Sequence, residues 1–332
     1  MRFVGIDVSH KELAVVIIAN GKTTKAKMFS NTPEGHMQLI KYLHKYKEPA
    51  QVCLEATGIY HFDLAVELHK ADNIEVMVVN PKASKHFAEV LMKRSKTDAV
   101  DAGVLATYCQ RMDFNVWQCP SHHKLDLRIC SRRLVELKKQ RTRAKNQLHA
   151  LESTTSTPDY ILEDARQAIR ELDARVDTLQ LHALSIIQQD SVINEMFELL
   201  LSIKGVAEVS AVQILGEIVV LPDDMTARQW VAHAGLDPRQ FQSGSSVMKK
   251  PRLSKAGNSY LRQALYMPAL SASRWEKSVK AHYQHLVEDN GLKKIQALCA
   301  VMRKLLHAIH AMFKTRSDFD GSKFCQSIPS QS

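Results

Sequence analysis

The six cysteines (Cys53, Cys109, Cys119, Cys130, Cys299 and Cys325) form no Cys-x-x-Cys pair and no Cys/His spacing of the kind that holds zinc. That excludes a zinc module and a disulfide framework, and it suits thiols kept reduced as small core residues. Long apolar runs are missing too. Segments such as Leu13 to Ala19 fall far short of the roughly 20 residues a bilayer-spanning helix needs, so no membrane partner is expected. The chain enters its first strand without a charged leader and apolar signal segment, and export is not expected. Acids are in deficit: 35 Asp and Glu face 45 Lys and Arg, giving a net charge of +10 and a sequence pI near 9.2. Such an imbalance favours a polyanion, most simply nucleic acid, over a neutral metabolite.

What is present is enough apolar material for two cored domains: 332 residues, 45% hydrophobic. Over residues 1–117 strand and helix patterns alternate. Strands are predicted at Phe3 to Val8, Glu12 to Ala19, Thr23 to Ser30, Gln51 to Glu55 and Glu75 to Val79, with Asn20-Gly21 as a hairpin turn. Helices are predicted at Thr32 to Tyr46, where Thr32 caps and Pro33 opens the first turn, at His61 to Ala71, and from Lys82 to Arg111 with a break around Arg94-Ser95-Lys96. Three meandering strands followed by helix-linked strands predict a mixed sheet of the ribonuclease H-like kind.

Residues 118–190 change character to long helix. Leu127, Cys130, Leu134, Leu137, Arg141, Ala144, Leu148 and Leu151 follow heptad spacing, and Ala165, Ile169, Leu172, Val176, Leu179, Ala183 and Ile186 repeat it. The polar stretch Ser153 to Pro158 separates the two stripes, so an antiparallel coiled-coil arm is expected. Its first half carries nine Lys/Arg against two Asp/Glu between Ser121 and Leu151, which reads either as a nucleic-acid face (Arg132, Arg133, Lys138, Lys139) or as a solvated surface. A mainly helical domain is expected over 191–320, and a disordered tail over 321–332. Within it, Ile203-Lys204-Gly205-Val206-Ala207 reads either as a helix-hairpin-helix that offers amides to phosphate or as a packing corner.

Four carboxylates carry the strongest chemical signal. Asp7 and Glu55 close two predicted strands, and Asp98 and Asp101 stand three apart on one helical face. Each alone has an ordinary use as a turn cap, an ion-pair partner or a helix N-terminal acid. Together, with the small Ala56-Thr57-Gly58 after Glu55, they form an oxygen-ligand set for Mg2+, or Mn2+ in its place, of the sort that activates phosphodiester chemistry. Lys93, Arg94 and Lys96 precede the Asp98 pair as backbone-binding candidates or a solvated turn. A second constellation, Gln242-Ser243-Gly244-Ser245-Ser246 followed by Lys249, Lys250, Arg252 and Lys255, sets hydroxyls among cations, which suits a phosphate-handling nucleophile but equally a flexible basic loop. It contains no histidine to act as base. His282-x-x-His285 and His307-x-x-His310 lack a third metal ligand and are expected to be structural.

The segments Gly5-Ile6-Asp7, Leu54-Glu55-Ala56-Thr57-Gly58, Lys96-Thr97-Asp98-Ala99-Val100-Asp101-Ala102, Ala234-Gly235-Leu236-Asp237-Pro238, Ser243-Gly244-Ser245-Ser246, Ser254-Lys255-Ala256-Gly257-Asn258 and Leu261 to Tyr266 occur in an order and spacing that resemble the DEDD transposases of bacterial insertion sequences, which include Piv-type invertases and bridge-RNA-guided recombinases. The resemblance implies a RuvC-like N-terminal domain (1–117), a coiled-coil arm and a helical transposase domain with a nucleophilic serine, Ser243 by position and Ser245 or Ser246 as fallback. It implies Mg2+-dependent cleavage and exchange of donor and target DNA through a phosphoserine. It further implies a structured noncoding guide RNA, a homodimer or tetramer whose serine and carboxylates meet between protomers, and a nucleoid-associated place in the bacterial cytoplasm. Alternatives sharing the motifs are a site-specific invertase and a junction resolvase that uses water.

Overall fold

The computed structural model describes residues 1–46, 48–56, 60–92, 97–243 and 247–325, in two compact units, Met1–Cys119 and Pro120–Ser332. The first unit runs β1 (Arg2–Val8), β2 (Glu12–Ala19), β3 (Lys22–Thr23), β4 (Lys27–Ser30), α1 (Pro33–His44), β5 (Ala50–Glu55), α2 (Phe62–Lys70), β6 (Ile74–Val79), α3 (Pro81–Val90) and α4 (Asp98–Arg111). The sheet order is β3-β2-β1-β5-β6, with β4 also on β2; β2 lies antiparallel to β1, while β1, β5 and β6 are parallel. This is the mixed order expected of a ribonuclease H-like sheet.

Local chemistry explains the elements. Asn20 and Gly21 both take positive φ, 49° and 72°, the requirement of a tight hairpin turn. The single strand expected over Thr23 to Ser30 is broken instead. Ile18 faces Thr23 but Val15 faces Lys27, so one extra residue enters β3–β4 and bulges it, while Ile17 N–H bonds the Thr24 hydroxyl at 3.0 Å. On β1, Val4, Ile6 and Val8 alternate onto one face, where they join Leu39 and Leu43 of α1 and Leu64 and Leu68 of α2 in one core. Each of those leucines is fully buried and contributes roughly 2–3 kcal/mol by transfer from water. The opposite face of the sheet packs on α4 through Ala14, Val16, Cys53, Met77, Leu105 and Cys109.

The second unit contains α5 (His122–Glu152), α6 (Asp159–Gln189), α7 (Ser191–Leu201), α8 (Glu208–Ile218), α9 (Ala227–Ala234), β7 (Pro238–Ser243), β8 (Val247–Leu253), α10 (Ser259–Trp275), α11 (Lys277–Glu288), α12 (Lys294–Thr315) and α13 (Gly321–Cys325). The arm and helical domain expected as separate pieces share one core. Leu127, Leu134 and Leu137 of α5 and Val176, Ala183 and Ile187 of α6 are buried with Leu200, Leu215, Leu261 and Leu305. Beyond that base, α5 and α6 are a two-helix hairpin. Its seam residues Ala144, Leu148, Leu151, Ala165 and Ile169 are only half-buried, and Arg141–Asp173 (2.9 Å) and Arg166–Glu152 (2.9 Å) bridge its edges. Ile187 rather than Ile186 is buried, because a 3.6-residue helix drifts from a strict heptad.

One expectation is corrected. Residues 321–325 are not a disordered tail: they form α13, whose Phe324 is buried against His282 and Phe319. Residues 326–332 lie outside the described residues. The last third is mainly helical, with one strand pair: β7 and β8 run antiparallel with a bulge between Arg239 and Phe241. The Gly205 corner is a packing element: Ile203 and Val206 are buried, and a Cβ on Gly205 (φ 112°) would meet Ala272 N at 2.7 Å. No helix among the described residues is long and apolar enough to cross a membrane.

Candidate active site

Gly5 is where the first unit's site begins. It shares the α4-facing side of β1 with Asp7, two residues on. A Cβ at Gly5 would meet Ala102 O at 2.0 Å and Ala106 N at 2.2 Å, so only glycine lets α4 lie this close to the strand. Running back from Ala102, the first turn of α4 carries Asp101 and Asp98, and Thr97 caps it by accepting from Val100 N–H at 3.3 Å. The β1/β5 register pairs Gly5 with Cys53 and Ile6 with Leu54, and its continuation sets Asp7 beside Glu55. Both acids therefore stand at carboxyl ends of parallel strands, where open α/β sheets place their ligands. Glu55 Oε2 accepts from the buried Ser84 hydroxyl of α3 at 2.5 Å.

The electrostatics agree with this convergence. Burial raises the Asp7 carboxyl to about 6, and Asp101, Asp98 and Glu55, in that order, add to the shift by like-charge repulsion. Three acids thus act on Asp7 inside one unit. Among the described residues, no three acid, histidine or cysteine side chains stand close enough to share a metal ion as they are. The donor set nevertheless fits a hard divalent cation, being all carboxylate oxygen, gathered and mutually repelling. Lys93, Arg94 and Lys96, as well as Thr57 and Gly58, lie outside the described residues.

In the second unit, Ser243 ends β7 and pairs with Val247, while Ser245 and Ser246 lie outside the described residues. What had the composition of a loop is a β-hairpin held at its base. Ser254 donates its hydroxyl to Asp237 Oδ1 at 2.5 Å, and Ser254 N–H and Lys255 N–H donate to Asp237 O and Gly235 O. Arg262 donates to Ala234 O at 2.8 Å. Gly235 (φ 64°) ends α9 in the left-handed region, and Lys255 (φ 49°) turns the chain out of β8. Lys249 and Lys250 lie on β8, and Arg252 and Lys255 are exposed.

The basic face of α5 divides. Arg133 is exposed; Lys139 pairs with Glu136 at 2.9 Å; Lys138 is half-buried beside a cavity of about 590 Å³. Burial, then Arg141, lowers the Lys138 ammonium from its ordinary value. Arg132 is not a surface cation awaiting phosphate: it makes two bonds, 2.7 and 2.9 Å, to the buried Glu217. Sequence reasoning missed Glu217, whose surroundings in α8 read as uniform core. His285 Nδ1 bonds Asp289 Oδ2 at 2.6 Å, and His310 Nε2 bonds Met225 O at 2.8 Å.

The first unit is thus a mixed α/β sheet with Asp7 and Glu55 at the ends of neighbouring parallel strands and Asp98 and Asp101 on the first turn of α4. Family profiles match the chain: one described as Transposase matches residues 4–154, and one described as Transposase IS116/IS110/IS902 family matches 197–284. The chain belongs to this family of transposases and is a DNA recombinase by class. It is similar to the pilin gene-inverting proteins of Moraxella bovis (28% identical over 96% of this chain and 97% of that protein) and Moraxella lacunata (28%, with the same coverage). Among solved structures it matches T. thermophilus RuvC in complex with a Holliday junction substrate, at 17% identity over 32% of this chain and 90% of that one, with a TM-score of 0.24.

Proposed function

We propose that the protein moves or rearranges DNA by strand cleavage and exchange through a Ser243 nucleophile, with Asp7, Glu55, Asp98 and Asp101 assisting at the same phosphate. What supports this reading is the raised Asp7 carboxyl, on which burial and then the charges of Asp101, Asp98 and Glu55 act in one direction. These four would hold Mg2+, or Mn2+, which when bound supplies neutralisation of charge on the phosphoryl oxygens. The serine oxygen forms a bond to phosphorus as the bond from phosphorus to the strand's 3′ oxygen breaks. The electron pair, and in balance the serine proton, end on that oxygen as a free 3′ hydroxyl. The phosphoserine preserves a reactive phosphodiester, so the strand can be rejoined without an external energy source.

The Asp237–Ser254 clamp fixes the base of the strand pair that bears Ser243 at its other end. A structured noncoding RNA that pairs with donor and target DNA is the proposed guide, leaving the protein to read backbone and shape. A homodimer or tetramer is the proposed assembly. Inversion of a DNA segment is the second reading, favoured by the two pilin gene-inverting relatives. The experiment is Ser243→Ala with a labelled donor end: covalent protein–DNA adduct and strand exchange should both disappear. Cleavage at wild-type rate in that variant would overturn the Ser243 assignment: without adduct it assigns the nucleophile to water, and with adduct to Ser245 or Ser246.

A further inference from the structure

Glu217 is 1% exposed and accepts three bonds: Arg132 donates to both its oxygens, and Asn258 Nδ2 donates to Oε2 at 2.6 Å. A second guanidinium stands in the same place. Arg128 lies one helical turn before Arg132 on α5, and its nearest carboxylate oxygen, on Glu217, is 3.9 Å away, beyond hydrogen-bond reach. Its Nε is buried with no partner. Two guanidiniums thus face one carboxylate, which already accepts two hydrogen bonds from Arg132 and one from Asn258.

This crowding is built by packing. A Cβ on Gly216 would meet Ser131 Cβ at 2.6 Å and Leu127 O at 3.3 Å, so Gly216 lets α8 close onto α5 and carries Glu217 beneath Arg132. The N-terminal cap of α10 comes to the same spot through Asn258, whose backbone N–H also bonds His233 O at 2.7 Å. Burial, followed by the Arg128 charge, lowers the His233 imidazole, which stays neutral at pH 7 and adds no anion. Burial and then Arg132 lower the Arg128 guanidinium, and the Glu217 charge, shared with Arg132, offsets this only in part. Its side chain is still 34% accessible, so a ligand can reach it.

We propose that Arg128 anchors a phosphate site, taking one phosphodiester group of a nucleic acid beside the Glu217–Arg132–Asn258 network. A planar fork of N–H donors is the geometry that accepts phosphate oxygens. Arg132 is the positioning residue, held by Glu217 so that it does not compete for the ligand. Only the source of the phosphate rests on the DNA-recombining reading; the charge imbalance stands without it.

The test is binding of the full chain in EDTA, where no strand is cut, so failure of the serine mechanism cannot disturb it. Anisotropy would be followed with a duplex of about 30 base pairs and with an RNA hairpin of similar size, between about 50 and 300 mM salt. Arg128→Met should shrink the slope of log K against log salt by about 1 for whichever nucleic acid supplies the phosphate, and Arg128→Lys should keep the slope. Loss with the duplex alone names DNA as the source, and loss with the hairpin alone names RNA. In ligand-free protein, Arg128→Met should leave the thermal midpoint unchanged or higher, because it removes a desolvated charge without orphaning a partner. An unchanged slope with both probes, or a lowered midpoint, overturns the proposal and makes Arg128 a structural member of the Glu217 network.

Discussion

Asp7 is the residue at which fold and chemistry meet, because its burial and its three acidic neighbours act in the same direction. Its folded pKa of about 6 lies above the unfolded value of about 4, so the metal-free native state binds the proton more tightly than the unfolded chain. Stability must then fall as pH rises through the window between those values, and the cost is complete above pH 6. The side chain is only partly buried, and screening holds the effect to about 1–2 kcal/mol. Asp7→Asn should therefore raise the thermal midpoint of metal-free protein by about 2–6 °C at neutral pH and by nothing near pH 4. Added Mg2+ should stabilise the wild type above pH 6 and the variant far less, read by calorimetry in matched buffers. An equal Mg2+ shift in both proteins would place the cation elsewhere. The acids were legible in the sequence because they ended apolar runs or shared one helical face. Arg132 was misread for the complementary reason: its partner Glu217 is 85 residues away in sequence, and no local pattern shows it.

At the scale of elements, the close contact between β1 and α4 is what turns a sheet into a site. Adding one methyl group, Gly5→Ala, would set a Cβ 2.0 Å from Ala102 O, and backbone cannot yield as a flexible side chain would. We expect about 2–4 kcal/mol of destabilisation, measured by urea unfolding. We also expect loss of cleavage at temperatures where the variant remains folded, since α4 must move away and take Asp98 and Asp101 with it. A fully active Gly5→Ala would show that the carboxylates need no fixed α4 contact. The alternating strands, the Asn20-Gly21 turn and the Thr32 and Thr97 caps could be read from the chain because their causes are local. The β7–β8 hairpin could not, since Arg239, Gln240, Gln242, Lys249 and Lys250 give it no apolar alternation. Its stability comes from the Asp237–Ser254 clamp, a contact across 17 residues. For the same reason α13 read as tail: one residue, Phe324, anchors it.

For the whole molecule, the proposed mechanism requires the four carboxylates of the first unit and Ser243 of the second to reach one phosphate. The chain's +10 charge favours assembly on a polyanion, which would neutralise repulsion between copies. The α5–α6 hairpin offers a seam whose outer residues, Ala144, Leu148 and Ile169, are only half-buried within one chain. Both features suit an oligomer in which one copy supplies the acids and another the serine. Complementation tests this without any structural assumption. Asp7→Asn protein lacks a working carboxylate set and Ser243→Ala lacks the nucleophile, so each alone should be inactive. Mixed and allowed to exchange subunits, they should regain cleavage if the two halves come from different protomers. Random pairing in a dimer makes half the molecules mixed, each with one of two sites restored, and so about a quarter of wild-type activity. If each site is built within a single chain, every mixed molecule still pairs a defective acid set with an intact serine or the reverse, and the mixture stays inactive at all ratios. Measuring adduct formation across a titration of the two variants separates the outcomes. A curve that peaks near equal amounts supports shared sites, and a flat baseline assigns both halves to one protomer.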